Sequence, residues 1–226
     1  MVRAATLPGL RPDRKQFRRH EILQTKLTSS IRRFEQLELA RKLYVEYEPR
    51  DLLYRAATEL VALAIDRKTT LSVGESLAVL LQIWNSQYYR FHPFDSQHFH
   101  AIEQVVSAHR SLLDGFRFRE ITTMSATEVD PIAELFTAFE LVLGPVGAAK
   151  ALHLLAPEFF PLWDREITKA YGIYLAGTGQ NAIQYLQFMT TVISQILNVC
   201  PSPGDRKGML KRIDEFNYCR FTKDWL

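Results

Sequence analysis

An all-α fold is predicted for this 226-residue chain by three observations. Apolar side chains recur at the 3.6-residue spacing of amphipathic helices. No stretch alternates with period two for long enough to build a sheet, and Gly, Pro and Asp/Ser/Thr clusters punctuate the periodic runs at helix-like intervals. With 47% hydrophobic and 12% aromatic residues, the chain can bury a large core as one domain or as two closely joined lobes.

The elements follow in order. Residues 1–15, rich in Pro and Gly, read as a flexible leader, and 16–226 as a single all-α domain. Over 14–47, Phe17, Ile22, Leu23, Leu27, Ile31, Phe34, Leu37 and Leu43 keep helical spacing, so one long or two shorter helices are expected, ended by Pro49. Helices are then predicted over 51–65, 73–89, 96–113, 125–143, 147–155, 164–174, 179–199 and 205–221. A boundary near 116–125 would separate a helical bundle from a second lobe. No fixed-period repeat or low-complexity segment interrupts the pattern.

Charge is uneven along the chain. The first 50 residues hold 12 Lys/Arg against 6 Asp/Glu, and the rest hold 16 against 19. The N-terminal basic residues, Arg11, Arg14, Lys15, Arg18, Arg19, Arg32, Arg33, Arg41 and Lys42, suit either a phosphate-facing surface or a solvated helix face. Arg206, Lys207, Lys211 and Arg212 follow Pro201-Ser202-Pro203-Gly204 and read as a solvated helix end. Two cysteines, Cys200 and Cys219, without a Cys-x-x-Cys pair, exclude a four-cysteine iron–sulfur cluster and a cysteine-rich zinc site. They suit a reducing cytoplasm. No signal-peptide-like run opens the chain, and no segment is expected to reach the ~18 apolar residues of a membrane span. His92, His98, His100, His109 and His153 match no metal-ligand spacing, so no metal is expected, and neither a nucleophile elbow nor a Walker-type loop occurs.

Residues 143–164 are the most informative stretch. Gly144, Pro145 and Gly147 break the apolar run from Ile132 to Leu143 and start another, which reads as a tight hairpin between two helices. Backbone N–H groups at such a helix start can hold an anion without a basic side chain, and a nucleic-acid phosphate is one candidate. Asp164, where a loop turns into a helix, is a favourable N-cap. The apolar wall of Phe159, Phe160, Pro161, Leu162 and Trp163 would partly desolvate its carboxylate.

Leu143-Gly144-Pro145-Val146-Gly147-Ala148-Ala149-Lys150-Ala151 resembles, without a gap, the Leu-Pro-Gly-Val-Gly-x-Lys-Thr-Ala hairpin of the helix-hairpin-helix DNA glycosylases, the endonuclease-III-like superfamily. Pro161-Leu162-Trp163-Asp164-Arg165-Glu166-Ile167 is similar to that family's Val-Asp-Thr-His-Val segment, which carries the catalytic aspartate. Ile83-Trp84-Asn85-Ser86-Gln87 is similar to its Ile-Leu-Ser-Ala-Gln, whose glutamine enters the duplex gap left by a flipped base. The match covers about a third of the chain and implies a two-lobed helical bundle containing a helix-hairpin-helix, without the iron–sulfur cluster of some relatives.

The resemblance implies base excision from duplex DNA by a monomer, with no membrane and no cofactor beyond a monovalent cation at the hairpin. Asp164 would stabilise the oxocarbenium-like sugar and orient or deprotonate the attacking water. Gln87 would fill the gap, and Gly144, Val146, Gly147 and Lys150 would meet the DNA backbone. Trp84, Asn85, Tyr88 and Trp163 would line the base pocket, because a flipped base needs stacking faces and a few hydrogen-bonding groups. Bifunctional members carry a Schiff-base lysine two residues after the second glycine, where this chain has Ala149. Lys150 stands one residue later, about 100° round the helix, so it is expected to face phosphate or solvent. That favours a monofunctional enzyme that leaves an abasic site. The rivals are a lyase acting through Lys150 and a non-catalytic module that binds DNA or protein, with Asp164 only a cap. Alkylated, oxidised and bulky modified bases all remain open as substrates.

Overall fold

The computed structural model describes residues 31, 33–49 and 51–226, and within them every regular element is helical. The expected leader, the helical run before residue 31, and Arg11, Arg14, Lys15, Arg18, Arg19 and Arg32 lie outside the described residues. The helices are α1 (Phe34–Tyr47), α2 (Asp51–Ile65), α3 (Val73–Trp84), α4 (Ser86–Tyr89), α5 (Ser96–Ala108), α6 (Arg110–Phe116), α7 (Val129–Leu155), α8 (Arg165–Ala170), α9 (Ala182–Val199) and α10 (Met209–Asn217). A single π turn, Tyr218–Thr222, extends α10.

Local chemistry sets several of the boundaries. Ser72 caps α3 in a reciprocal box: its hydroxyl accepts from Glu75 N at 3.0 Å, and the Glu75 carboxylate accepts from Ser72 N at 2.6 Å. Asp95 caps α5 by accepting from His98 N at 2.8 Å. The single helices expected over 73–89 and 96–113 are each divided, at Asn85 and at His109. Asn85 is drawn out of the helix by a partner far along the chain, because its side-chain amide donates to the Leu143 carbonyl at 3.1 Å.

The core is built around α7. Ile132, Leu135, Phe136, Phe139 and Leu143 are fully buried on it, and α9 packs along it through Tyr185, Phe188, Met189 and Val192. Phe136 stacks on Tyr185 with ring centroids 4.3 Å apart. The segment Ala126–Leu155 is long and apolar enough to cross a membrane, contrary to the expectation that no segment would be. It is instead half-buried as the central helix of this fold, consistent with a helix that is apolar nearly all round.

Helical geometry in α7 breaks at Gly144, whose φ of 69° and ψ of 169° lie in a region open to glycine alone. Pro145 then starts the second half, where its missing N–H leaves no helical bond unmade. A Cβ at Gly144 would also sit 3.1 Å from the Tyr88 ring. Gly144→Ala is therefore expected to destabilise the chain by about 2 kcal/mol or more, read as the shift in urea unfolding. Unchanged stability would show that the break is not forced by the backbone.

The C-terminal helix closes the molecule against α1. Leu210, Ile213 and Phe216 of α10 and Leu37, Ala40 and Tyr44 of α1 are buried, each on one helical face. Arg212 pairs with Glu38, and Arg41 with Glu215, across the same seam. This packing carries α10 and its π turn to the polar centre described next.

Candidate functional site

The three segments singled out in the sequence meet at the break in α7. Asn85 holds the Leu143 carbonyl, Tyr88 OH donates to the Val142 carbonyl at 2.9 Å, and the Trp163 indole donates to the Pro145 carbonyl at 3.0 Å. Lys150 Nζ donates to the Trp84 carbonyl. Thus the last two carbonyls of the first half of α7 accept from Tyr88 of α4 and from Asn85 before it, and the first carbonyl of the second half accepts from Trp163 in the loop before α8.

The glycines make this closeness possible. A Cβ at Gly147 would lie 2.6 Å from Asn85 Nδ2 and 2.8 Å from Leu143 Cβ. Gly144 and Gly147 are accordingly buried, whereas Pro145 and Val146 are half-buried.

Asp164 caps α8, accepting from Ile167 N at 2.8 Å through Oδ1 and from the Thr222 hydroxyl at 3.2 Å through Oδ2. Both oxygens of a half-exposed carboxylate are thereby oriented, one by its own helix and one by the π turn after α10. Hydrogen bonds from donors of this kind fix the direction of the carboxylate.

The polar centre beside Asp164 is built around Lys211, read from the sequence as part of a solvated helix end, and around carboxylates without a site role at the sequence level. Lys211 Nζ lies 3.4 Å from Asp214 Oδ2, 3.7 Å from Glu215 Oε1 and 3.9 Å from Asp51 Oδ1. It also sits over the rings of Tyr44 and Tyr54, 4.4 and 4.3 Å from their centroids. Tyr54 in turn stacks on Trp84, with centroids 5.3 Å apart and planes 10° from parallel. Burial pushes the Glu215 carboxyl up to about 7, against the attraction of Lys211 and Arg41. Burial also raises Asp214; Lys211 opposes that rise, while the charge of Asp164 adds to it.

The expected site residues therefore fall into different settings. Gln87 is exposed on α4, separate from the apolar helix it was expected to end. Tyr88 is half-buried, its ring against Gly144 and stacked on His92 at 4.1 Å, and Asn85 is buried on Leu143. Trp84 is half-buried and shares a wall with Tyr54. Trp163 is 1% exposed among Phe136, Tyr185 and Phe188, so it supports the break in α7 instead of lining an open pocket. Lys150, expected to face phosphate or solvent, is half-buried, donates to the Trp84 carbonyl at the end of α3 and acts on Asp214.

The basic C-terminal cluster is likewise not a solvated helix end. Arg206 donates to the carbonyls of Cys200 and Pro201, Arg212 pairs with Glu38, and Lys211 is only 14% exposed in its side chain. No family model matches the chain, and neither a curated protein nor a solved structure matches it.

Proposed function

We propose that the chain is a monofunctional DNA glycosylase of the helix-hairpin-helix kind, which flips a damaged or modified base and hydrolyses its N-glycosidic bond. The observation that carries this reading is the convergence of 83–89, 142–150 and 163–164 on one another through side-chain-to-carbonyl hydrogen bonds. These are the segments whose order and composition resemble the family's wedge, hairpin and catalytic aspartate, and nothing in their separation along the chain requires them to meet.

In this reading the break at Gly144 is the hairpin, and the first turn after Pro145 presents backbone N–H groups to a phosphate. Asp164 stabilises positive charge on the sugar and takes the proton of the attacking water. Hydrolysis is favoured over lyase chemistry because the Lys150 amine is engaged by the Trp84 carbonyl.

The test is incubation of the full chain with duplexes carrying one alkylated purine, one oxidised base or one bulky 5-substituted cytosine, followed by detection of free base and of abasic sites. Free base with intact abasic strands supports the proposal. A borohydride-trapped adduct lost in Lys150→Ala would show a lyase, and binding without release from any duplex would leave a recognition module.

Gln87 offers a finer check. It is exposed on α4, one residue before Tyr88, whose ring lies against Gly144. Gln87→Ala is expected to slow release from duplex several-fold more than from single strands, because only the duplex loses stacking and pairing on flipping. Equal losses on both substrates would return Gln87 to the role of a surface residue.

A further inference from the structure

Apolar side chains scattered singly over a surface are ordinary, whereas a contiguous exposed set marks a contact. Such a set follows α4: Phe91 is 81% exposed, Phe94 36%, and His92 between them is exposed as well. We propose that the outer face of the His92 imidazole, backed by Tyr88, is a stacking site for an unpaired nucleobase of a DNA strand. The site needs only an unpaired base, so it stands or falls separately from base release.

The imidazole is held ready for such a partner. Its plane lies 5° from that of Tyr88 with ring centroids 4.1 Å apart. The Tyr88 carbonyl lies 3.1 Å from both His92 N and His92 Nδ1. A carbonyl can only accept, so Nδ1 donates, and the imidazole leaves the stack only by giving up that bond. Tyr88 is fixed in turn: its OH donates to the Val142 carbonyl at 2.9 Å, and its ring backs onto Gly144, where a Cβ would stand 3.1 Å away. Among the described residues Tyr88 is the only ring stacked on His92, and since His92 is exposed, its opposite face is open to a further planar group. A platform fixed in this way loses little freedom when a base settles on it.

The chemistry of the surrounding stretch selects the occupant. From Gln82 to Phe94 the chain carries Arg90, which is exposed, and no Asp or Glu, so a phosphate backbone meets a cation there without a repelling carboxylate. Asp95, the next acid along the chain, is turned into the cap of α5, where it accepts from His98 N at 2.8 Å. Beside His92 the exposed set is therefore flat rings and a guanidinium, the combination that holds unpaired strands. Every base has a π-face, so such a platform tolerates any sequence, while a paired base within a duplex has both faces covered by its neighbours.

The experiment is a double-mutant cycle between His92 and the base, read as the affinity of the full chain by fluorescence anisotropy. One duplex holds a single adenine opposite a tetrahydrofuran abasic analogue, and the other has the analogue in both strands, so that the two differ by one unpaired base. Removing the base should weaken wild-type binding about fivefold or more, and should change binding by His92→Ala less than about twofold. His92→Phe keeps a flat ring without the Nδ1 bond and should recover most of the difference, which a purely structural histidine would not allow. Equal losses in wild type and His92→Ala, or a wild type that does not distinguish the duplexes, would overturn the site. A second copy of the chain seated on these rings would show in sedimentation as self-association abolished by His92→Ala, with no coupling to the base, and would overturn it too. Base release from the panel above is scored independently: coupling without release supports the stacking site and overturns the glycosylase reading, and release without coupling does the reverse.

Discussion

Asp164→Asn is expected to reduce base release by at least about 10²-fold while leaving duplex affinity within a few-fold and stability nearly unchanged. The contrast follows from the two tasks of this side chain. As a cap it needs one acceptor for Ile167 N, and asparagine supplies that through its carbonyl oxygen. Its other atom would then face Thr222, whose hydroxyl can accept as well as donate. What asparagine cannot supply is the negative charge that stabilises an oxocarbenium-like sugar, nor a base for the attacking water. Single-turnover release, a filter-binding titration and a urea melt read the three quantities separately. Release above about a tenth of the wild-type rate would remove Asp164 from the chemistry, whereas a large loss of stability would show that the cap, not the charge, had been disturbed.

The parts of the molecule readable from sequence are those governed by neighbours within a few residues. The cap at Asp164, the start of α3 at Val73 and the break at Gly144-Pro145 all rest on bonds or torsions local to the chain. The division of 73–89 is different, because the partner of Asn85 is the Leu143 carbonyl, 58 residues away. Lys211 shows the same limit more sharply. Beside Arg206, Lys207 and Arg212 it reads as part of a solvated basic end, yet α10 packs on α1 and brings it under Tyr44 and Tyr54 with three carboxylates around it. Asp51, Tyr54 and Asp214 carry no motif, and their meaning comes only from the helices that bring them together. The all-α class is less sensitive to such contacts, since a 3.6-residue apolar period persists whichever helix it meets.

His153 gives the fold a dependence on pH that can be isolated from that of the site. It is 1% exposed, its Nδ1 lies 2.8 Å from the Phe160 carbonyl and its Nε2 lies 2.8 Å from Tyr54 OH. A carbonyl can only accept, so Nδ1 carries the proton and Nε2 accepts from the tyrosine, which describes a neutral imidazole. Burial is the main cause that depresses its pKa to about 4, from 6.5. Below 6.5 the unfolded chain takes up a proton that the folded chain refuses. The stability from keeping this ring neutral is therefore whole above about pH 6.5 and is lost as pH falls toward 4, a change of roughly 3 kcal/mol. Glu215 works in the opposite sense: its raised pKa stabilises the fold at low pH, and that contribution is lost as pH rises through about 7. Because His153→Gln retains Glu215, the difference between the two proteins reports the histidine alone. At about pH 7.5 the variant should be less stable by about 1–3 kcal/mol, from hydrogen bonds it cannot fully replace. By about pH 4.5 that deficit should close or reverse, as the wild type alone loses stability through this ring. Urea unfolding of both proteins at the two pH values measures it, and a deficit of equal size at both would show that His153 is protonated in the folded chain.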